Sequence, residues 1–419
     1  MSRGAVRAVA ALAERRVQQQ QLPVLARSIV SKHRTINSAQ IGRRFSSAAN
    51  SHTQQQIRVE RMTDFETVLD KSNQYARVPG RAVIEVSGQD ASEFLQGIQC
   101  NHMPAIDQGG GGMLTAFLAP QGRMVADAFV YPKNAGVNFP HPVFLVEVDA
   151  QAKERVLKVM RFYKLRAKIE VRDATAEYDV WSVWGPGSMG LVGVAGQPIS
   201  RVPRGSLVFK GEMAAAADVW FLDERAPGMG LRLVVGKTAR LQLPAGFEQT
   251  DERQYTLRRI LKGVPEGIDD FVPDVSVPLE CNLDYMHGVH FSKGCYVGQE
   301  LTIRTHHRGV VRKRIVPVVY GSAAGGDGLA IDRGFSQAPA PQTDIIRVAV
   351  PGELQRTRRV PPGRTGSGVF NAGLALMRLE HVEQSVGRAA DGGVWFETIG
   401  AGGLRLRVWP WSPSWWPSA

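Results

Sequence analysis

Residues 81–103 read RAVIEVSGQDASEFLQGIQCNHM, and this stretch decides the fold class. Arg81 to Val86 alternate in the manner of a strand, Ser87 and Gly88 supply a turn, and a helix starts at Asp90 with Phe94, Leu95 and Ile98 at core spacing. Residues 109–132, GGGGMLTAFLAPQGRMVADAFVYP, continue as two strands joined by a turn at Pro120, Gln121 and Gly122, which is hairpin chemistry. HPVFLVEVD then reads as a strand, and AQAKERVLKVMRFYKL as a helix with Val156, Val159, Met160 and Tyr163 facing inward. RAKIEVRD reads as a further strand. Strands that run into hairpins, with helices between only some of them, predict an α+β fold and argue against a doubly wound sheet.

Outward from this core, 419 residues exceed what one hydrophobic core organises, and two or three domains are expected. No apolar run reaches the roughly 18 residues of a spanning helix, so no membrane span is expected. Three cysteines in a chain of this length argue against a disulfide framework and for a reducing compartment. Cys100 and Cys281 read as small buried hydrophobes. The net charge of +12 is concentrated at the front: residues 1–56 hold nine Arg or Lys and one acid, Glu14. GAVRAVAALAERRV places Val6, Val9, Ala10 and Ala13 opposite Arg3, Arg7 and Arg15, and RRFSS at 43–47 looks like a processing site. Residues 1–45 are therefore read as a mitochondrial transit peptide. With that charge set aside, no nucleic-acid partner is expected.

Two glycine motifs carry no chemistry. GPGSMG at 185–190 matches a dinucleotide fingerprint but precedes a stretch broken by glycine and proline, so it reads as a strand-ending turn. GGGG at 109–112 lacks the ending of a phosphate loop. A helix beginning near Asp251, with Leu257, Ile260, Leu261 and Val264 at helical spacing, stops at KGVPEG. Beyond Tyr320 the composition shifts to Gly, Ala, Pro and Ser, then returns to a strand pattern in GLALMRLE, which predicts a small C-terminal β domain with an irregular insertion. Four of the eight tryptophans fall in the last eleven residues, and this tail is read as either a partner-binding or an unstructured terminus.

The chemistry concentrates in FSKGCYVGQELTIRTHHRGVVRKR, residues 291–314. Its lone thiol, Cys295, reads as a nucleophile, a metal ligand, a redox thiol or a packed cysteine. Lys293 is expected to favour the thiolate, and Gly294 and Gly298 allow a turn that exposes the sulfur. Zinc is a poor reading because no C-x-x-C accompanies the histidines.

KGCYVGQE resembles the signature of the folate-binding YgfZ-type family, relatives of the glycine cleavage T-protein. The wider stretch PLECNLDYMHGVHFSKGCYVGQELTIRTHHRGVVRKR is similar to that family's mitochondrial iron–sulfur cluster assembly branch. The resemblance implies a T-protein-like arrangement of three domains around a central channel, with a small C-terminal β-barrel. Its parts are expected at 57–250 for the α+β folate-binding-like region, 251–320 for the helix with the signature, and 321–419 for the β domain. It implies that Cys295, Lys293, Tyr296, Gln299 and Glu300 carry the activity, and that Asp127, Asn282 and Arg304 hold tetrahydrofolate. T-proteins carry an acidic pair where this chain has Ala126 and Asp127, a departure that argues against aminomethyl transfer. The expected activity is therefore non-enzymatic: assembly, in the mitochondrial matrix, of [4Fe-4S] client enzymes with A-type scaffold proteins, through a transient iron–sulfur cluster shared with the partner. A folate-dependent one-carbon transferase is the alternative.

Overall fold

The computed structural model describes residues 57–58, 69–107, 109, 111–133, 141–193, 208–209, 218–239, 241–322, 330–348, 361–386 and 395–417. The proposed transit peptide lies outside them. Residues Ile57–Ala419 form one compact unit. Among the described residues no helix is long and apolar enough to cross a membrane.

The alternation read from 81–132 builds a five-stranded antiparallel sheet in the order Met113–Leu118, Met124–Pro132, Val143–Asp149, Arg81–Ser87, Glu170–Asp173. Helix α1 (Ala91–Ile98) and helix α2 (Lys153–Lys164) cover one face. Phe94, Leu95 and Ile98 of α1, with Val156, Leu157 and Met160 of α2, pack there on Ile84, Ala126, Ala128 and Val130. All nine residues of Met124–Pro132 are buried, because the second face lies against another core containing Phe129 and Tyr131. A strand covered on both faces places alternate residues in two cores.

A second sheet runs Val219–Leu222, Leu231–Gly236, Tyr178–Trp184, Gln74–Arg77, Glu248–Gln249, antiparallel except for the last pair. GPGSMG follows its central strand as a turn ending in the 3₁₀ segment Ser188–Leu191. Helix α3 (Glu252–Leu261) opens as expected at Asp251, whose carboxylate accepts from the Arg253 amide at 2.7 Å. It buries Leu257, Ile260 and Leu261.

The C-terminal part is a closed barrel of Lys313–Ser322, Ala372–Arg378, Gly363–Val369, Asp344–Val348, Trp395–Ile399 and Arg405–Pro410. The tryptophan-rich end is not a loose terminus. Arg405–Pro410 closes the barrel by pairing with both neighbours, Trp411 is buried in the main core, and the Trp415 indole donates to the Lys262 carbonyl at 2.9 Å. Four tryptophans so close together bury enough apolar area to hold the segment down.

Candidate functional site

KGCYVGQE forms a turn that leads into helix α4 (Gln299–Arg308). Helix α4 is weakly marked in the sequence, since Thr302 is its buried residue and the apolar stripe is correspondingly thin. Gly298 caps it at φ 78°, where a Cβ would come within 2.4 Å of the Ala119 carbonyl. Gly122, at φ 80°, would likewise bring a Cβ within 2.5 Å of Leu301 Cβ. Only glycine fits two such close left-handed positions, so the turn of the first hairpin docks directly on the signature.

Lys293 fixes the other side of this turn. Its ammonium donates to the carbonyls of Gln96 at 2.8 Å, Gln99 at 2.6 Å and Asn101 at 2.6 Å, which uses all three protons at the end of α1. It also lies 4.8 Å from the centre of the buried Tyr296 ring. Burial pushes its pKa down to about 7, opposed by the nearby Cys100 sulfur. The expected neighbour of the Cys295 thiol is thus a brace for the turn. Val297 donates its amide to Gly97 O at 3.1 Å, and the Tyr296 amide donates to Gln299 Oε1 at 3.2 Å.

On this mounting Cys295 is exposed, whereas Cys100 and Cys281 are buried, as the sequence predicts. The Cys100 thiol donates to Gly288 O at 3.3 Å, and burial raises its pKa. Cys295 borders an open cleft of about 660 Å³ whose lining includes Phe291, Gln299, Glu300, Arg304 and His307. Five of the expected residues therefore meet here: Cys295, Lys293, Gln299, Glu300 and Arg304. Tyr296 lies beneath the turn, and the ring of His306 stacks on Phe291 at 3.6 Å.

The three expected folate residues differ in their surroundings. Arg304 belongs to the outer cleft. Asn282, fully buried at φ 62°, donates to Ile315 O at 2.7 Å and ties the signature segment to the barrel. Asp127 belongs to a buried charge network that sequence reading missed. Arg232 donates to Glu147 Oε2 at 2.9 Å, to the Tyr255 hydroxyl at 2.6 Å and to Glu266 Oε2 at 3.0 Å, with its guanidinium 4.2 Å from the Phe129 ring centre. Arg225 bonds Asp223 and Glu266, and Arg81 bonds Glu147 at 2.6 Å. Burial alone would raise Glu147 and Glu266, but the guanidinium of Arg232, joined by Arg81 and Arg225 respectively, holds both below the ordinary carboxylate range.

Asp127 is the exception. Its nearest guanidinium oxygen–nitrogen separation, to Arg81, is 3.6 Å, and both Asp127 Oδ2 and Arg81 Nη2 lack a hydrogen-bond partner. Burial raises Asp127 to about 6. Three guanidiniums face four carboxylates in this network, so a proton on Asp127 balances it. Asp127→Asn is expected to stabilise the fold by up to about 3 kcal/mol at pH 7.5 and by nothing near pH 3.5. The sign follows because between the unfolded and folded pKa values the native state holds the extra proton, so its stability falls as pH rises. Chemical denaturation at the two pH values measures it, and an equal effect at both would refute it.

Ala126 packs in the helix-covered core, on the other face of the strand from Asp127. An acid at 126 would point away from the network, so the Ala126 departure leaves the interior electrostatics unchanged. It is weaker evidence against one-carbon transfer than the sequence implied.

Comparisons with known proteins agree with this architecture. Residues 79–198 match the GCVT N-terminal domain family, and residues 312–418 match the CAF17 C-terminal beta-barrel domain. The aminomethyltransferase T of the glycine cleavage system from Bartonella henselae superposes with a TM-score of 0.54 over 85% of this chain and 89% of that one, at 13% identity, which establishes a shared fold. A mitochondrial iron–sulfur cluster assembly factor IBA57 homologue from Mycosarcoma maydis is 36% identical, over 82% of this chain and 84% of its own length. The homologue of the same name from Aspergillus fumigatus is 39% identical, over 73% and 70%. The chain belongs to the IBA57 family of mitochondrial iron–sulfur cluster assembly factors.

Proposed function

We propose that this protein acts in the mitochondrial matrix as an assembly factor for [4Fe-4S] proteins, with Cys295 as its working thiol. The observation that carries this reading is that Cys295 is the one exposed cysteine of three, on a braced turn at a cleft mouth. The common clusters take four thiolate ligands, so this chain offers one and a partner must supply the others. An A-type scaffold protein is such a partner, and the cluster is cargo shared between the two. Gln299 and Lys293 hold the turn, while Glu300 and Arg304 flank the docking cleft. Nothing in this role requires turnover.

Tetrahydrofolate binding is kept in this reading, supported by the match to the GCVT N-terminal domain family and the fold shared with a glycine cleavage aminomethyltransferase. Asp127 and Asn282 are buried, whereas Arg304 lines the outer cleft.

In a strain depleted of the protein, aconitase activity and lipoylation are expected to fall together while a [2Fe-2S] ferredoxin stays loaded. Normal aconitase, or equal loss of both cluster types, would overturn the proposal. Glycine cleavage is not used as the readout, because its H-protein is itself lipoylated.

A further inference from the structure

The end of helix α2 carries a surface that the thiol site does not use. Residues 158–168 contain Lys158, Arg161, Lys164, Arg166 and Lys168 and no acid. All five cations are exposed, and none forms an ion pair among the described residues. The neighbouring charges of the helix behave differently, since Lys153 pairs with Asp173 and Arg155 with Asp274. Among the five cations two apolar side chains stand out from the surface: Phe162 is 47% exposed and Leu165 is 63% exposed.

Leu165 is the more informative of the two. It ends the helix at φ 45°, a position where glycine relieves strain and where helices commonly use it. A leucine kept in that conformation and left exposed stabilises nothing inside the protein. The inner face of the same helix is fully engaged, with Val156, Leu157 and Met160 buried and Tyr163 packed on the same core. The outer surface is thus rigidly presented.

We infer that the 158–168 surface docks on anionic lipid headgroups, with Phe162 and Leu165 entering the boundary of the acyl region. Cations that ring exposed Phe and Leu at a helix end match the composition of interfacial anchors. An anionic bilayer offers the negative surface and the apolar layer together. The two apolar side chains stand exposed on the surface, so an acidic protein would need a pocket to receive them.

The experiment uses the full chain with phosphatidylcholine vesicles, with and without phosphatidylglycerol, and reads amide hydrogen exchange over 158–168. That local readout separates this surface from the basic residues 1–56, which can bind vesicles on their own account. Phosphatidylglycerol vesicles are expected to slow exchange over 158–168, high salt to reverse the effect, and phosphatidylcholine alone to leave it unchanged. Lys164→Gln with Arg166→Gln is expected to weaken this protection about 25-fold, at roughly fivefold per cation, without lowering the melting temperature. Leu165→Gly is expected to weaken it too while leaving the fold at least as stable. Vesicle binding with unchanged exchange over 158–168 would overturn the inference. So would protection by an acidic mitochondrial protein fraction but not by vesicles, which would make a protein the occupant.

Discussion

Arg232→Leu is expected to destabilise the protein by about 3–5 kcal/mol, the cost of removing one partner from a buried ion network. Arg232 is fully buried and serves Glu147, Glu266, Tyr255 and the face of Phe129 at once. Without it Glu147 keeps Arg81 and the Tyr131 hydroxyl, Glu266 keeps Arg225, and two guanidiniums face four carboxylates. Arg232→Lys is expected to recover little, because a point charge does not reproduce the forked geometry that spans two carboxylates. Arg77→Leu is the control: its partner Asp179 lies at 2.7 Å, but the Arg77 side chain is 57% exposed and the pair is screened. Chemical denaturation should separate the two by several kcal/mol, with Arg77→Leu within about 0.5 kcal/mol of the parent. A loss below about 1 kcal/mol for Arg232→Leu would show that the network does not hold the sheets together.

Cys295→Ser is expected to abolish cluster assembly while leaving the melting temperature unchanged. The side chain is exposed and no described hydrogen bond depends on its sulfur, so the fold has little to lose. A hydroxyl does not replace a thiolate as a ligand or redox group. Cys100→Ser is the reverse case, since it places a hydroxyl in a buried site and threatens stability more than activity. Complementation of a null strain, scored by aconitase activity against the amount of folded protein, distinguishes the two. Full activity in the Cys295 variant would remove the thiol from the mechanism.

Local patterns in the sequence carried much of this architecture. The strand, helix and hairpin of 81–132 were legible because each announces itself by period and turn residues within twenty-odd residues. Helix α4 was not, because with Thr302 as its buried residue it leaves almost no stripe to find. The charge network was invisible for a different reason. Arg81, Asp127, Glu147, Arg225, Arg232 and Glu266 come from separate segments, and each alone resembles a surface charge. One signal was available: Glu147 and Arg232 interrupt the apolar runs VFLVEVD and LRLVVG, and every residue of Arg232's strand from Leu231 to Val235 is buried. A charge inside a strand covered on both faces must find a partner across the fold. At the site, KGCYVGQE marked the thiol, but the burial of Lys293 could not be read, because its three carbonyl partners lie almost two hundred positions earlier.

The contact between Gly122 and Gly298 changes what capture of the thiol entails. A cysteine on a free loop would surrender backbone and side-chain freedom when a partner closed on it, at about 1–2 kcal/mol per backbone residue ordered. Here that freedom has already been given up in folding, because the hairpin turn, the Lys293 ammonium and the Val297 amide fix the turn before any partner arrives. Encounter then selects for orientation alone, and a partner's ligands meet a sulfur whose position the first sheet has set. Gly122 lies more than 170 positions from Cys295, yet it belongs to the same mechanical part, as a hinge pin belongs to the door it carries.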